Sequence, residues 1–128
     1  MIDVKVRRHG PLFDGQADAA AARFTRDATS TLTRVAYDMV KLKYAARIRE
    51  NTGHFLGRIT QEITGSIGHV YTKFILYGYW LEGVGSRNAT TRFKGYWAYR
   101  ETAIEIDARS PEILKPLVDK MIREMGGA

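Results

Sequence analysis

The feature that most constrains the fold is a long helical pattern over residues 15–51. Apolar side chains recur there at steps of three and four, as on one face of an amphipathic helix; they are Phe24, Ala28, Leu32, Val35, Met39, Leu42 and Ala46. Acidic residues lie near its start and basic residues near its end, which suits the helix dipole, and an Asn-Thr-Gly word at 51–53 supplies a stop. The pattern predicts one long helix.

Alternating apolar and polar residues predict strands on both sides of this helix. Residues 1–9 place Ile2, Val4 and Val6 between charged neighbours, which is the period of a half-buried strand. Residues 54–81 alternate in the same way around a Thr-Gly-Ser turn at 64–66, and this predicts a β-hairpin. One set of alternating positions is Phe55, Ile59, Ile63, Val70, Thr72, Phe74 and Leu76. Of these, Ile59, Val70 and Phe74 are expected to face the long helix.

Helical spacing returns over residues 96–125. One helix is predicted from Tyr96 to Ala108, and a Ser-Pro-Glu word at 110–112 predicts the start of another, with a capping serine and a proline at the first helical position. Together the elements predict a single α+β domain over residues 1–128. We expect a long N-terminal helix packed on a small antiparallel sheet, with C-terminal helices.

Composition narrows the functional classes. No apolar run approaches the ~20 residues of a membrane span, and the N-terminus lacks a signal-peptide pattern, so a cytoplasmic location is expected. The absence of cysteine excludes disulfides, thiolate catalysis and cysteine-based zinc sites. The net charge of +6 is compatible with nucleic acid, a membrane surface or an acidic protein as partner.

An aromatic and basic segment at residues 77–100 carries the main functional signal. It holds both tryptophans and a predicted flexible loop, residues 83–95, with three glycines, three basic residues and no acid. Aromatic and arginine side chains together are typical of protein interfaces. The predicted interface residues are Trp80, Glu82, Arg87, Arg92, Phe93, Lys94, Tyr96 and Trp97. For Trp80, Tyr96 and Trp97, packing in the core is the alternative interpretation.

Residues suited to catalysis do not converge in the sequence. His9, His54 and His69 lack the spacing of a zinc protease, although the last two could approach each other across the hairpin. The glycines at 83 and 85 lack the Lys-Ser/Thr ending of a phosphate-binding loop. Glu82 has no second carboxylate nearby for general acid–base catalysis. We therefore predict no enzyme activity, no catalytic residue, no cofactor and no metal.

Two sequence segments between residues 77 and 107 resemble a known family. The first, YGYWLEGVGSRN, contains Tyr77, Leu81, Glu82, Gly83, Gly85 and Ser86. The second, RFKGYWAYRETAIEID, leads from Arg92, Phe93 and Lys94 into a C-terminal helix. These words, with the element order over residues 15–125, resemble the tail-completion or neck family of minor tail proteins, which join head and tail in long-tailed bacteriophages. The specific part of the match is residues 77–106.

The resemblance implies a structural virion protein of the tail or neck, assembled in the host cytoplasm. It would be a tail-completion, terminator or connector subunit in a homo-oligomeric ring, with hexameric symmetry. Its implied partners are neighbouring neck, connector and tail-tube proteins, with genomic DNA passing through the ring and no membrane. The alternative is a small basic nucleic-acid-binding module, in which aromatic rings stack on bases and Arg87, Arg92 and Lys94 contact phosphates.

Overall fold

The fold is α+β, as the sequence predicts. The computed structural model describes residues 2–5, 15–48, 53–73, 81–84, 86–89 and 92–126. In chain order the described elements are β1 (Ile2–Lys5), α1 (Gly15–Arg47), β2 (Ile59–Thr64), β3 (Ile67–Thr72) and α2 (Ala98–Glu124), with short 3₁₀ helices at Leu56–Arg58 and Ser86–Ala89. The predicted long helix is present up to Arg47.

The strands form one antiparallel sheet in the order β1–β3–β2. The central strand β3 pairs with β1, where Ile2 is opposite Val70, and with β2, where Ile63 is opposite Gly68. A two-residue turn with Gly65 at a φ of 61° joins β2 to β3, as expected for a tight hairpin. Strand β1, at the start of the chain, therefore pairs with a hairpin that follows α1.

The β-hairpin is shorter than the predicted range 54–81. The expectation that Phe55 lies on a strand is wrong, because this residue lies in a turn before β2. The backbone N–H of Gly57 donates to the carbonyl of Gly53 at 2.9 Å, which closes a helical turn there. Phe55 is nevertheless buried and packs edge-on against Tyr44, with ring centroids 4.8 Å apart. Predicted positions 74–80 lie outside the described residues.

Helix α1 packs against both the sheet and α2. Its buried residues include Ala28, Thr29, Leu32, Thr33, Ala36, Val40 and Tyr44. The predicted stripe is wrong near its end, where Leu42 is 69% exposed and Ala46 is exposed. Because a step of four residues advances about 40° around a helix, the buried line winds around α1. Its contacts change accordingly, from Gly68 of β3 to Tyr99 of α2.

Close packing of α1 on the sheet depends on the absence of a side chain at Gly68. A Cβ atom at this position would lie 1.7 Å from Oγ1 of Thr33 and 3.0 Å from its Cβ. Thr33 Oγ1 itself donates to the carbonyl of Thr29 at 2.6 Å, so a buried hydroxyl is satisfied within the helix. A glycine inside a strand pattern marks such a close approach.

The C-terminal region is one helix, and the predicted break at 110–112 is wrong. Both Pro111 and Pro116 lie inside α2. Proline lacks the N–H that would bond the carbonyl four residues earlier, which for Pro111 is the carbonyl of Asp107. The Ser110 hydroxyl donates to that carbonyl at 3.3 Å and replaces part of the lost bond. Both prolines are exposed, so water can reach the backbone beside them.

Ion pairs join the antiparallel helices α1 and α2 along their length. Lys43 Nζ lies 2.6 Å from Glu105, and Arg23 lies 2.9 Å from Glu124 at the opposite end. Arg47 pairs with Glu101, and this bond lowers the pKa of the Glu101 carboxyl. The pairs are partly exposed, so each contributes little to stability but helps set the register of the two helices.

Candidate interaction surface around the 83–95 loop

The two ends of the 83–95 loop are joined at its base. The N–H of Tyr96 donates to the carbonyl of Leu81 at 2.6 Å, and the N–H of Trp97 donates to the carbonyl of Glu82 at 3.2 Å. Gly83 and Gly95 have φ angles of 105° and 101° and lie against each other. A Cβ on Gly95 would be 2.2 Å from the Gly83 Cα. The glycines that predicted flexibility are required here for close contact between two backbones.

Glu82 lies beneath this base as a buried carboxylate. It accepts hydrogen bonds from the Tyr44 hydroxyl at 2.7 Å and from the backbone N–H groups of Tyr99 and Arg100 at 3.0 Å each. The latter two groups belong to the first turn of α2, which receives no side-chain cap from Trp97. Glu82 therefore caps α2 from a distant part of the chain, with a charge that suits the helix N-terminus.

The expected role of Glu82 at an interface is therefore corrected. Its carboxylate is buried and both oxygens are used inside the chain, so it supports the loop without being available to a partner. Burial, together with the hydrogen bond to Glu82, raises the pKa of the Tyr44 hydroxyl, because the ionised phenolate would lie in an apolar setting beside a carboxylate.

An aromatic cluster connects the loop base to the sheet. The Tyr44 ring packs edge-on against Tyr96 and Tyr99, with centroids 6.3 and 6.0 Å away. The Tyr99 hydroxyl shares a 2.9 Å hydrogen bond with Thr72 at the end of β3. Burial raises the pKa of Tyr99 to about 12. Helix α1, the sheet and the start of α2 therefore meet directly below the loop.

The interior of the loop is organised by Asn88, which was not among the predicted interface residues. Asn88 is buried, and its side-chain amide donates to the Phe93 carbonyl at 3.2 Å. Lys94 Nζ donates to the Asn88 carbonyl at 2.7 Å, and the Phe93 and Tyr96 rings pack with centroids 4.9 Å apart. Asparagine often bonds nearby backbone in turns, which is the signal that could have identified it.

Trp97 forms the edge of this surface and has a backbone conformation that non-glycine residues rarely adopt. Its φ of 58° and ψ of 26° lie in the left-handed region. The indole N–H donates to the Lys94 carbonyl at 2.6 Å, and the Arg100 guanidinium lies 3.7 Å from the centroid of the Trp97 ring. Such strain is often found at functional sites. The ring remains 38% exposed.

The structure brings part of the predicted interface together. Phe93 and Tyr96 are half-buried and support the loop, while Arg92, Lys94 and Trp97 are exposed. Trp80 lies outside the described residues. Arg87 belongs to the 3₁₀ helix Ser86–Ala89, and its side chain is also outside the described part. Arg100 joins the surface without having been predicted, because only the fold places it over Trp97.

The described residues hold neither a metal-binding cluster nor a membrane-spanning helix. Within the described residues, no three His, Asp or Glu side chains lie close enough to hold a metal ion. None of the helices described is long and apolar enough to cross a membrane. His9 lies outside the described part. Comparison with protein-family models, curated proteins and solved structures finds no match to this chain.

Proposed function

We propose that this chain is a non-enzymatic structural subunit of the head–tail junction of a long-tailed bacteriophage. In this proposal it is part of a virion ring through which DNA passes, and its 83–95 loop contacts an acidic surface on a neighbouring subunit or neck protein. The resemblance of two sequence segments, residues 77–88 and 92–107, to the tail-completion family supports the class of protein. The structure of the loop supports its use as a contact surface.

The observation that carries the proposal is the set of internal contacts that anchors a basic loop at its base. The buried Glu82 carboxylate, the Gly83–Gly95 contact and the Asn88 hydrogen bonds hold the loop from below. Arg92 is exposed and forms no ion pair with any residue that the structure describes. Preorganisation lowers the entropy that binding must remove, and an unpaired cation favours an acidic partner.

The proposal is tested by imaging the assembly and then reversing the charge of the loop. Electron microscopy of the purified protein, alone and mixed with tail tubes, should reveal closed rings or rings on tube ends. Arg87→Glu combined with Arg92→Glu should prevent them, because like charges would then face each other. Arg34→Glu is a matched control at an exposed arginine on α1. Normal assembly of the double variant would contradict a contact through the loop.

Gene order gives an independent check of the protein class. A head–tail junction subunit should be encoded beside genes for a portal, a capsid protein and a tail tube. The proposal would be refuted if the gene lies among none of these and the protein forms no rings, even if the loop proved to bind something else.

A nucleic-acid-binding module is the second candidate, favoured by the exposed Trp97 beside basic residues. One face of this ring is already covered by the Arg100 guanidinium at 3.7 Å, so that face is not available to stack on a base. Tyr96 is half-buried among other rings. A DNA affinity that falls steeply with salt and is abolished by Trp97→Ala would favour this function over the ring subunit.

A further inference from the structure

The outer face of α2 is a second apolar stripe, on the side of the helix opposite the core. The buried positions of α2 are Ala98, Tyr99, Thr102 and Ile106. On the opposite side the exposed residues include Trp97, just before the helix, and then Ile104, Ala108 and Pro111. Ile104 is 66% exposed. A helix with apolar residues on two sides usually packs against other elements on both sides. We therefore expect this outer face to contact a partner.

The charges along this stripe are unpaired, unlike those on its flank. Glu101 and Glu105 form ion pairs with Arg47 and Lys43 of α1. By contrast Arg100 and Asp107 are exposed and form no ion pair with the described residues. One is a cation four residues before Ile104 and the other an acid three residues after it. The stripe therefore carries opposite charges on the two sides of its apolar centre.

We infer that this face binds the same face of a second copy of the chain, with the two α2 helices antiparallel and a two-fold axis at Ile104. At about 100° per residue, Arg100 and Asp107 point about 40° and 60° to the same side of Ile104. The two-fold rotation keeps that side and reverses the direction of the helix. Arg100 of each copy consequently faces Asp107 of the other.

The same symmetry pairs the ends of the stripe. Trp97 lies seven residues before Ile104 and Pro111 lies seven residues after it, so the exposed indole of one copy meets the exposed proline ring of the other. Two Ile104 side chains meet at the axis, and Ala108 leaves room for close approach. Every contact away from the axis occurs twice, as in all isologous interfaces.

This pairing goes beyond the proposed function and does not depend on it. An isologous contact does not by itself close a ring, which needs a head-to-tail contact such as the one proposed for the 83–95 loop. One helix against another lies at the small end of specific interfaces, below about 1,200 Å². We therefore expect a reversible dimer whose population rises with protein concentration.

Sedimentation velocity over a concentration series tests the surface. The wild-type protein should shift towards twice its 14.5 kDa chain mass as concentration rises. Ile104→Arg should remain at the monomer mass, because two guanidinium groups would meet at the axis. Leu42→Arg is the matched control: it makes the same kind of change at a 69% exposed apolar residue on α1 and should dimerise like the wild type. A monomeric wild type, or an Ile104→Arg variant that still dimerises, would overturn the inference.

Charge exchange tests the register. Arg100→Asp alone and Asp107→Arg alone should each weaken self-association by about tenfold or more, because both symmetric pairs become repulsive. Mixing the two variants should restore a dimer, since the mixed pair contains one native Arg100–Asp107 contact and one exchanged contact. If mixing restores nothing while both variants stay folded by circular dichroism, the antiparallel pairing at Ile104 is wrong.

Discussion

Replacing Glu82 by alanine should reveal how strongly the interior supports the 83–95 loop. The carboxylate accepts three hydrogen bonds, from the Tyr44 hydroxyl at 2.7 Å and from the N–H groups of Tyr99 and Arg100 at 3.0 Å each. A bond to a charged group contributes about 1.5–3 kcal/mol, and donors left buried without a partner add a penalty. Relief of the buried charge offsets part of the loss. The free energy of unfolding should fall by about 3–5 kcal/mol.

Two milder variants divide this effect. Glu82→Gln keeps one acceptor oxygen but directs an amide N–H₂ at the other donors and removes the charge at the helix N-terminus, so a loss of about 1–3 kcal/mol is expected. Tyr44→Phe removes the hydroxyl that lies 2.7 Å from the carboxylate. In the double variant with Glu82→Ala, the two losses should add to more than the measured total by about 1 kcal/mol or more, because they share one bond.

Urea denaturation followed by circular dichroism measures these losses. The indole N–H resonance of Trp97 reports on the loop separately, since that group donates to the Lys94 carbonyl at 2.6 Å. Glu112→Ala is the control at an exposed acid of α2, and it should change the free energy of unfolding by less than about 0.5 kcal/mol. A loss below about 1 kcal/mol for Glu82→Ala would refute the anchoring role derived from its hydrogen bonds.

Three further changes test the packing. Gly68→Ala should lower the free energy of unfolding, measured by urea denaturation, by about 2 kcal/mol, because the cost of overpacking exceeds the gain from a less flexible unfolded backbone. Gly57→Ala should lower it little, because an added Cβ there meets no atom within 4 Å. Equal effects of the two changes would disprove the close approach of α1. Thr102→Val should raise stability by about 1 kcal/mol, because the buried Thr102 hydroxyl has no hydrogen-bond partner in the described structure; a lower melting temperature would contradict this. Because burial raises the pKa values of Tyr44 and Tyr99, the stabilisation from these two neutral side chains should be fully present below pH ~10 and decrease as pH rises towards 12. Tyrosinate absorbance that rises near pH ~10 for every tyrosine in the folded protein would refute this.

The candidate surface was predicted only in part. Aromatic and basic composition identified the right segment, and Arg92, Lys94 and Trp97 are exposed there. The pattern did not distinguish a carboxylate at a surface from one beneath it, so Glu82 was placed at an interface. Its burial depends on Tyr44, which lies 38 residues away along the chain. A local sequence pattern does not show a contact between residues that lie so far apart in the chain.

The sequence by itself determined the type of elements, because periodicity and turn residues act locally: the long helix, the hairpin and the α+β class follow from them. Tertiary structure decided where these elements end and which side they bury. The two prolines of α2 remain inside one helix because packing on α1 outweighs their local cost, and a hydroxyl from Ser110 replaces a lost donor. The buried line of α1 continues through Val40 and Tyr44, and not through Leu42 and Ala46, because α2 covers that side of the helix. Contacts between distant residues set these outcomes, and their free energies exceed the local preferences that a sequence pattern records.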